Sequence, residues 1–131
     1  SLGSQLAVCL RVRFLCVTGH HVHAARRDEW ARMAQGQLPS SVDEQEFRDR
    51  VGAALRDIVA TADHDDTVAV FSHGGVINVA LHEVLGTARL LSFPIDYVSI
   101  TRLLYARGGQ ATVATVNSTE HVWDLLPRNR R

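Results

Sequence analysis

The chain has 131 residues, of which 46% are hydrophobic and 21% are charged, the size and composition of one globular domain. Fourteen basic and fourteen acidic residues give a formal net charge of zero, without the basic excess that is typical of nucleic-acid-binding proteins. The apolar segment 6–17 carries Arg11 and Arg13, and it is shorter than the roughly 20 residues that a membrane-spanning helix needs. We therefore expect a cytoplasmic protein that binds neither nucleic acid nor membrane.

The first 28 residues are predicted to be an N-terminal extension whose structure the sequence does not define. Within it, residues 10–14 alternate between apolar and charged side chains, which favours a half-exposed strand. Cys9 and Cys16 are interpreted as buried thiols, because seven residues of strand separate their Cα atoms by more than a disulfide allows.

Two helices are predicted next along the chain. Residues 29–33 indicate a short helix that stops before Gly36. Asp43 and Glu46 then form a D-x-x-E pattern in which each carboxylate can accept from a first-turn amide. Apolar residues follow at helical spacing and predict a helix over 43–62 with one buried face: Phe47, Val51, Ala54, Leu55, Ile58 and Val59.

A continuous apolar run at residues 67–71 is typical of a strand buried on both faces, as in a parallel sheet. Ser72, His73, Gly74 and Gly75 follow without a spacer. Apolar residues at helical spacing then predict a helix over 76–85. Gly86 stands in the usual place after a helix end.

The remaining chain predicts an antiparallel hairpin and a polar tail. Residues 97–105 and 111–116 are interpreted as two strands, with a turn at residues 107–110 between them. The tail at residues 127–131 is predicted to be frayed.

His73 is the strongest candidate for a functional residue, because it joins a predicted strand end to a predicted helix start. In open α/β sheets ligands bind at the carboxyl ends of strands, and the first free amides of a helix attract anions. Gly74 and Gly75 leave those amides accessible, and an imidazole can donate to a phosphoryl oxygen. The alternative is a histidine that bonds a backbone carbonyl in a tight turn.

Residues 68–77 resemble the second histidine motif of the histidine phosphatase superfamily, the phosphoglycerate-mutase-like proteins. The helix over 43–62, the Phe93-Pro94 loop and the ending at residues 117–121 are similar to its C-terminal half. The resemblance covers residues 29–122 and implies an α/β fold, a partial three-layer domain over 29–126. Its sheet would be mainly parallel, with an antiparallel C-terminal hairpin.

The resemblance also implies an activity, which is phosphoryl transfer through a phosphohistidine on a small phosphorylated metabolite. It assigns His73 as a catalytic, phosphate-contacting histidine and Gly74 as an amide donor to phosphate. No cofactor and no metal are expected, because a positive pocket stabilises the charge. Mutase and phosphatase activities are not distinguished.

One motif of the family is absent from this sequence. The nucleophilic histidine normally lies in an R-H-G motif after the first strand, and no R-H-G occurs in the 131 residues. His20, in a Gly-His-His stretch, is interpreted as a loop residue rather than as a substitute nucleophile. Two hypotheses therefore stay open: an enzyme of this family, or a truncated, non-catalytic remnant that binds phosphate or a partner chain. The exposed sheet edge would be covered by residues 6–17 or by a second copy in a homodimer.

Other candidate residues are given structural interpretations. His20, His21 and His23 lack a fourth metal ligand at suitable spacing. Ser72 lacks the first glycine of a G-x-S-x-G nucleophile elbow. Asp96 and Glu120 are interpreted as solvated loop acids. Trp30 and Trp123 are interpreted as packing residues.

Overall fold

The computed structural model describes residues 25–129, which combine three α-helices with one β-hairpin. The elements in chain order are α1 (Ala25–Ala34), α2 (Glu44–Thr61), α3 (Gly74–Leu85), β1 (Ile100–Tyr105), β2 (Ala111–Ser118) and the 3₁₀ segments Glu120–Leu125 and Pro127–Asn129. The α/β content and the antiparallel hairpin agree with the prediction, whereas the mainly parallel sheet and the three layers are not confirmed within residues 25–129. The predicted strand at 10–14, both cysteines and His20, His21 and His23 lie outside the described residues.

Helix α2 begins as its sequence predicts. The Asp43 side chain is the N-cap and accepts from the Glu46 amide at 2.8 Å, which satisfies one of the amides that a helix start leaves without a partner. Val51 and Ile58 are the buried residues of its apolar face. Across the surface, Arg48 donates to the Glu83 carboxylate of α3 at 2.7 Å.

Helix α3 supplies the most deeply buried side chains of the described chain. Val79 and Leu81 are fully buried, and Val79 packs in one cluster with Leu38, Val51 and Leu90. The helix ends at Gly86, whose left-handed backbone (φ 63°) suits glycine and whose amide donates to the His82 carbonyl at 2.8 Å. The prediction of this helix is confirmed.

The hairpin is also confirmed, with small changes at its ends. Strands β1 and β2 pair in antiparallel register from Ile100↔Ser118 to Tyr105↔Ala111. Strand β1 starts three residues later than predicted, after Val98, whose positive φ of 58° interrupts the extended backbone. Strand β2 continues to Ser118.

The prediction of a buried strand at residues 67–71 is wrong for the described part of the chain. Residues 67–73 form no ladder with β1 or β2, which make up the sheet within residues 25–129. Val70 is 42% exposed and Phe71 is 69% exposed. An apolar run becomes a buried strand when neighbouring strands pair with it, and residues 25–129 provide none.

The C-terminal tail is ordered through Asn129 rather than frayed. The two terminal nitrogens of the Arg128 guanidinium, Nη1 and Nη2, donate to the Asp96 carboxylate at 2.7 and 2.9 Å, and Leu126 is buried. The interpretation of the two tryptophans as packing residues is also wrong, because Trp30 and Trp123 are largely exposed. Within residues 25–129, no helix combines the length and apolarity that a membrane crossing requires.

Candidate phosphate site

His73 is the N-cap of α3, at the point where segment 67–73, which has no regular secondary structure, meets the helix. Its backbone is extended (φ −110°, ψ 162°), and its side chain makes no capping hydrogen bond to the helix. The residue is exposed and is not part of the packed interior. The helix start is therefore reached from solvent beside an imidazole ring.

The start of α3 differs from the start of α2 in its charge. Helix α2 has the Asp43 carboxylate as its cap and two further acids, Glu44 and Glu46, in its first turn. Helix α3 has no acidic residue in its first turn and no side chain as its cap. The first amides of any α-helix lack partners within the helix and carry a partial positive charge. At α2 the protein's own carboxylate meets that charge, whereas at α3 an external anion can meet it.

A groove of about 480 Å³ opens at the same end of α3. Gly74 and Gly75 form part of its lining, and an added Cβ at Gly74 would come within 3.4 Å of the Ile95 Cβ. The remaining lining residues come from α1, from α3 and from the loop after α3: Trp30, Met33, Asn78, Leu91, Ser92, Phe93, Pro94 and Ile95. The helix start thus adjoins a largely apolar surface.

Asn78 attaches the loop after α3 to the first turn of the helix. Its Nδ2 donates to the Gly74 and Phe93 carbonyls, each at 2.9 Å. Its Oδ1 accepts from the amides of Ser92 at 3.0 Å and Phe93 at 2.8 Å. The side chain is 3% exposed and uses both ends of its amide, which holds Phe93 beside Gly74.

Helix α1 is attached to the same loop at its C-terminal end. The Leu91 amide donates to the Gly36 carbonyl at 3.0 Å. Gly36 has a φ of 81°, and a Cβ there would lie 2.9 Å from the Leu91 carbonyl oxygen. The Glu29 carboxylate of α1 accepts from the amide and hydroxyl of Ser40, and these hydrogen bonds lower the pKa of Glu29. These contacts attach α1, which carries Trp30, to the loop that carries Phe93, and both residues line the groove.

A second groove, of about 510 Å³, lies beside the C-terminal tail and shares no lining residue with the first. Asp96 lies at its edge and accepts from Arg128 and from the Asn117 Nδ2. Its pKa is lowered mainly by the Arg128 hydrogen bonds and then by that of Asn117. Asp96 is therefore an acid committed to an ion pair, and the interpretation as a solvated loop acid is wrong. Glu120, which received the same interpretation, is exposed.

The relationship of the chain to known proteins is decided by its match to a protein-family model. The model of the histidine phosphatase superfamily (branch 1) matches residues 17–119. The chain belongs to the histidine phosphatase superfamily. No curated protein and no solved structure matches the chain in the corresponding searches.

Family membership confirms the resemblance that residues 68–77 indicated, and it makes phosphoryl transfer the general chemistry to consider for this histidine phosphatase relative. The structure places His73 and Gly74 at the start of α3, where the sequence predicts them. Their contact with phosphate stays a prediction. Among residues 25–129, no three His, Cys, Asp or Glu side chains come together in a way that could hold a metal ion.

The groove and the residue that anchors it, Asn78, were not predicted from the sequence. A polar asparagine within the apolar stretch of α3 was the available signal, since such a residue is usually buried with all its hydrogen bonds made. Trp30 and Phe93 gave no comparable signal, because they are distant in sequence and line one groove only through tertiary packing.

Proposed function

We propose that this chain binds the phosphate group of a small phosphorylated metabolite at the N-terminus of α3. In this proposal the His73 ring donates a hydrogen bond to a phosphoryl oxygen, and the Gly74 amide donates to the phosphate as well. The observation that carries the proposal is the start of α3 at the histidine motif of a histidine phosphatase, where the exposed N-cap His73 makes no side-chain capping hydrogen bond to the helix. A helix start of this kind stabilises an anion by about 0.3–1 kcal/mol, and a charge-assisted imidazole bond adds to that.

The reaction that fits this site is phosphoryl transfer or hydrolysis through a phosphohistidine. A histidine nitrogen forms a bond to phosphorus while the ester P–O bond breaks, and water or an acceptor hydroxyl then takes the phosphoryl group. His73 acts as the supporting histidine, which stabilises charge on the oxygens during both steps. The nucleophile is not assigned, because the 131 residues contain no R-H-G.

The proposal extends to the fold around the site. The apolar side chains of Val70 and Phe71 are exposed on a segment without regular secondary structure that leads directly to His73. This segment forms no ladder within residues 25–129. We propose that, once a neighbouring strand pairs with it, the segment becomes a strand of the mainly parallel sheet of a three-layer, phosphoglycerate-mutase-like domain. Its neighbouring strand would come from residues 6–17 or from a second copy in a homodimer, since an exposed apolar edge is normally covered.

A second candidate function is phosphate binding without catalysis, or binding of a partner chain. The missing R-H-G motif favours it, because the family chemistry begins with that nucleophile. The two candidates share the phosphate site at His73 and differ in turnover.

The test measures turnover of a generic aryl phosphate between about pH 5 and 8, together with binding of inorganic phosphate. The variants are His73→Ala and, as a matched control, His82→Ala, which changes a histidine at the other end of α3. The proposed enzyme predicts turnover that falls by about a hundredfold in His73→Ala and is unchanged in His82→Ala. Phosphate binding without turnover would favour the second candidate, and absence of phosphate binding would contradict the proposed site.

A further inference from the structure

The groove beside α3 offers a ligand few polar side-chain groups among its described lining residues, chiefly the indole N–H of Trp30. Asn78 uses its Nδ2 and its Oδ1 on backbone groups. The Ser92 hydroxyl donates to the Arg89 carbonyl at 2.5 Å, and its amide donates to Asn78. None of the lining side chains is charged.

The walls of the groove are aromatic and aliphatic. Trp30 on α1, with 66% of its surface exposed, lines one side, and Phe93 and Pro94 lie in the loop that Asn78 holds. Gly74 and Gly75 bring the backbone of the helix start to the same groove without side chains of their own. A ligand whose anionic group is at the helix start therefore has its remaining atoms against apolar surface.

This arrangement discriminates between classes of organic group. A sugar or polyol places several hydroxyl groups against the groove, where the Trp30 indole N–H and the Ser92 hydroxyl oxygen are the described lining side-chain groups that can pair with them. Hydroxyl groups buried there without a partner weaken binding. A flat aromatic ring buries apolar area and can stack on tryptophan.

We propose that the groove between Trp30 and the Phe93-Pro94 loop holds the organic part of the substrate, and that this part is aromatic rather than polyhydroxylated. The proposal rests on the proposed phosphate site at His73. It makes Trp30 a specificity-determining residue that contacts the leaving group and does not contact phosphorus.

The test compares the affinities of three ligands for the full chain by isothermal titration calorimetry. The ligands are inorganic phosphate, phenylphosphonate and 2-hydroxyethylphosphonate, and the two phosphonates carry P–C bonds that a phosphatase does not hydrolyse. We expect phenylphosphonate to bind about tenfold more tightly than 2-hydroxyethylphosphonate, which is the upper range for one aromatic contact.

Variants of the two tryptophans separate the groove from the phosphate site. Trp30→Ala is expected to lower the affinity for phenylphosphonate about tenfold and to leave the affinity for inorganic phosphate unchanged. Trp30→Phe is expected to retain most of the affinity for phenylphosphonate. Trp123→Ala, which removes the other exposed tryptophan, is expected to change none of the three affinities.

Three results would count against the proposal, and they differ in what they overturn. Equal affinities for the two phosphonates, with inorganic phosphate still bound, would contradict the proposed preference of the groove for an aromatic group but not the proposed phosphate site. Equal weakening of all three ligands by Trp30→Ala would assign Trp30 a structural role and overturn its part in specificity. Failure of all three ligands to bind would overturn the phosphate site, and the groove proposal with it.

Discussion

Asn78 is the described residue whose side chain joins the separate segments of the candidate site. Its four hydrogen bonds join the first turn of α3 to the amides and a carbonyl of residues 92 and 93. Replacement by leucine, which has a similar volume, removes the side-chain partner of three part-buried backbone groups, the Ser92 and Phe93 amides and the Phe93 carbonyl, whereas the Gly74 carbonyl keeps its partner within the helix. The expected loss in the free energy of unfolding is about 2–4 kcal/mol, since each unsatisfied buried group costs about 1–3 kcal/mol.

Chemical denaturation of Asn78→Leu measures this loss. Gln45→Leu is the matched control, because Gln45 makes an exposed side-chain hydrogen bond on the surface of α2. We expect the control to change stability by less than about 0.5 kcal/mol. Equal stability of Asn78→Leu and the wild-type chain would show that the loop is held by other contacts.

Single residues were predictable from the sequence where their role depends on their neighbours in the chain. Asp43 as a helix cap and Gly86 as a helix end follow from local pattern, and both are confirmed. Asp96 could not be assigned, because its partner Arg128 is distant in sequence. Two positive-φ residues near it, Val98 and Asn117, likewise depend on tertiary contacts rather than on local preference.

At the scale of the helices, the contrast between the starts of α2 and α3 makes a prediction about stability and binding together. His73→Asp gives α3 the type of cap that Asp43 gives α2. We expect the free energy of unfolding of this variant to be about 1 kcal/mol higher than that of the wild-type chain. We also expect the variant to bind phosphate more weakly, because its own carboxylate occupies the helix start. In Asp43→Ala we expect the free energy of unfolding to fall by about 1 kcal/mol and the affinity for phosphate to stay unchanged.

Thermal unfolding and phosphate titration of both variants check this prediction. A stabilised His73→Asp protein that still binds phosphate with wild-type affinity would contradict the location of the anion at α3.

Helices and the hairpin were predicted well because their patterns are complete within each segment. The spacing of apolar residues and the caps define α2 and α3, and the glycine-containing turn at 106–110 defines the hairpin. The segment 67–71 was predicted wrongly because strand formation depends on a neighbour elsewhere in the chain. Its β-branched residues fit a strand, yet residues 25–129 do not pair with it.

At the scale of the whole molecule, the Arg128–Asp96 ion pair ties the C-terminal tail to the loop before β1. The pKa of Asp96 lies below its ordinary value of 3.8, chiefly because Arg128 donates to its carboxylate. A lowered carboxyl pKa in the folded state stabilises the protein above the unfolded pKa, and this contribution is lost as the pH falls through the folded pKa.

We therefore expect acid to destabilise the wild-type chain more than Asp96→Asn. The measurement is the difference in melting temperature between about pH 5 and pH 2, where the Asp96 carboxylate becomes protonated. Asp124→Asn removes one exposed acid from the neighbouring 3₁₀ segment and is the control. If the melting temperatures of Asp96→Asn and of the wild-type chain fall by the same amount between these two pH values, the ion pair does not contribute to the pH dependence of stability.

The candidate site was predictable from the sequence only where its residues are adjacent in the chain. His73, Gly74 and the start of α3 are adjacent in the chain, so a motif places them together. The groove is assembled from α1, α3 and the loop at residues 91–95, through the contact of Gly36 with Leu91 and the bonds of Asn78. Such an assembly has no signature in the sequence, because it depends on the packing of distant segments.

The most direct measurement of the central claim is an NMR titration of the ¹⁵N-labelled chain with inorganic phosphate, observed at the glycine amides. Phosphate at the start of α3 predicts saturable shifts of the Gly74 and Gly75 amide signals and loss of those shifts in His73→Ala. Gly108 and Gly109, in the turn of the hairpin, should not move. Unchanged Gly74 and Gly75 signals up to saturating phosphate, or shifts that persist in His73→Ala, would contradict the claim.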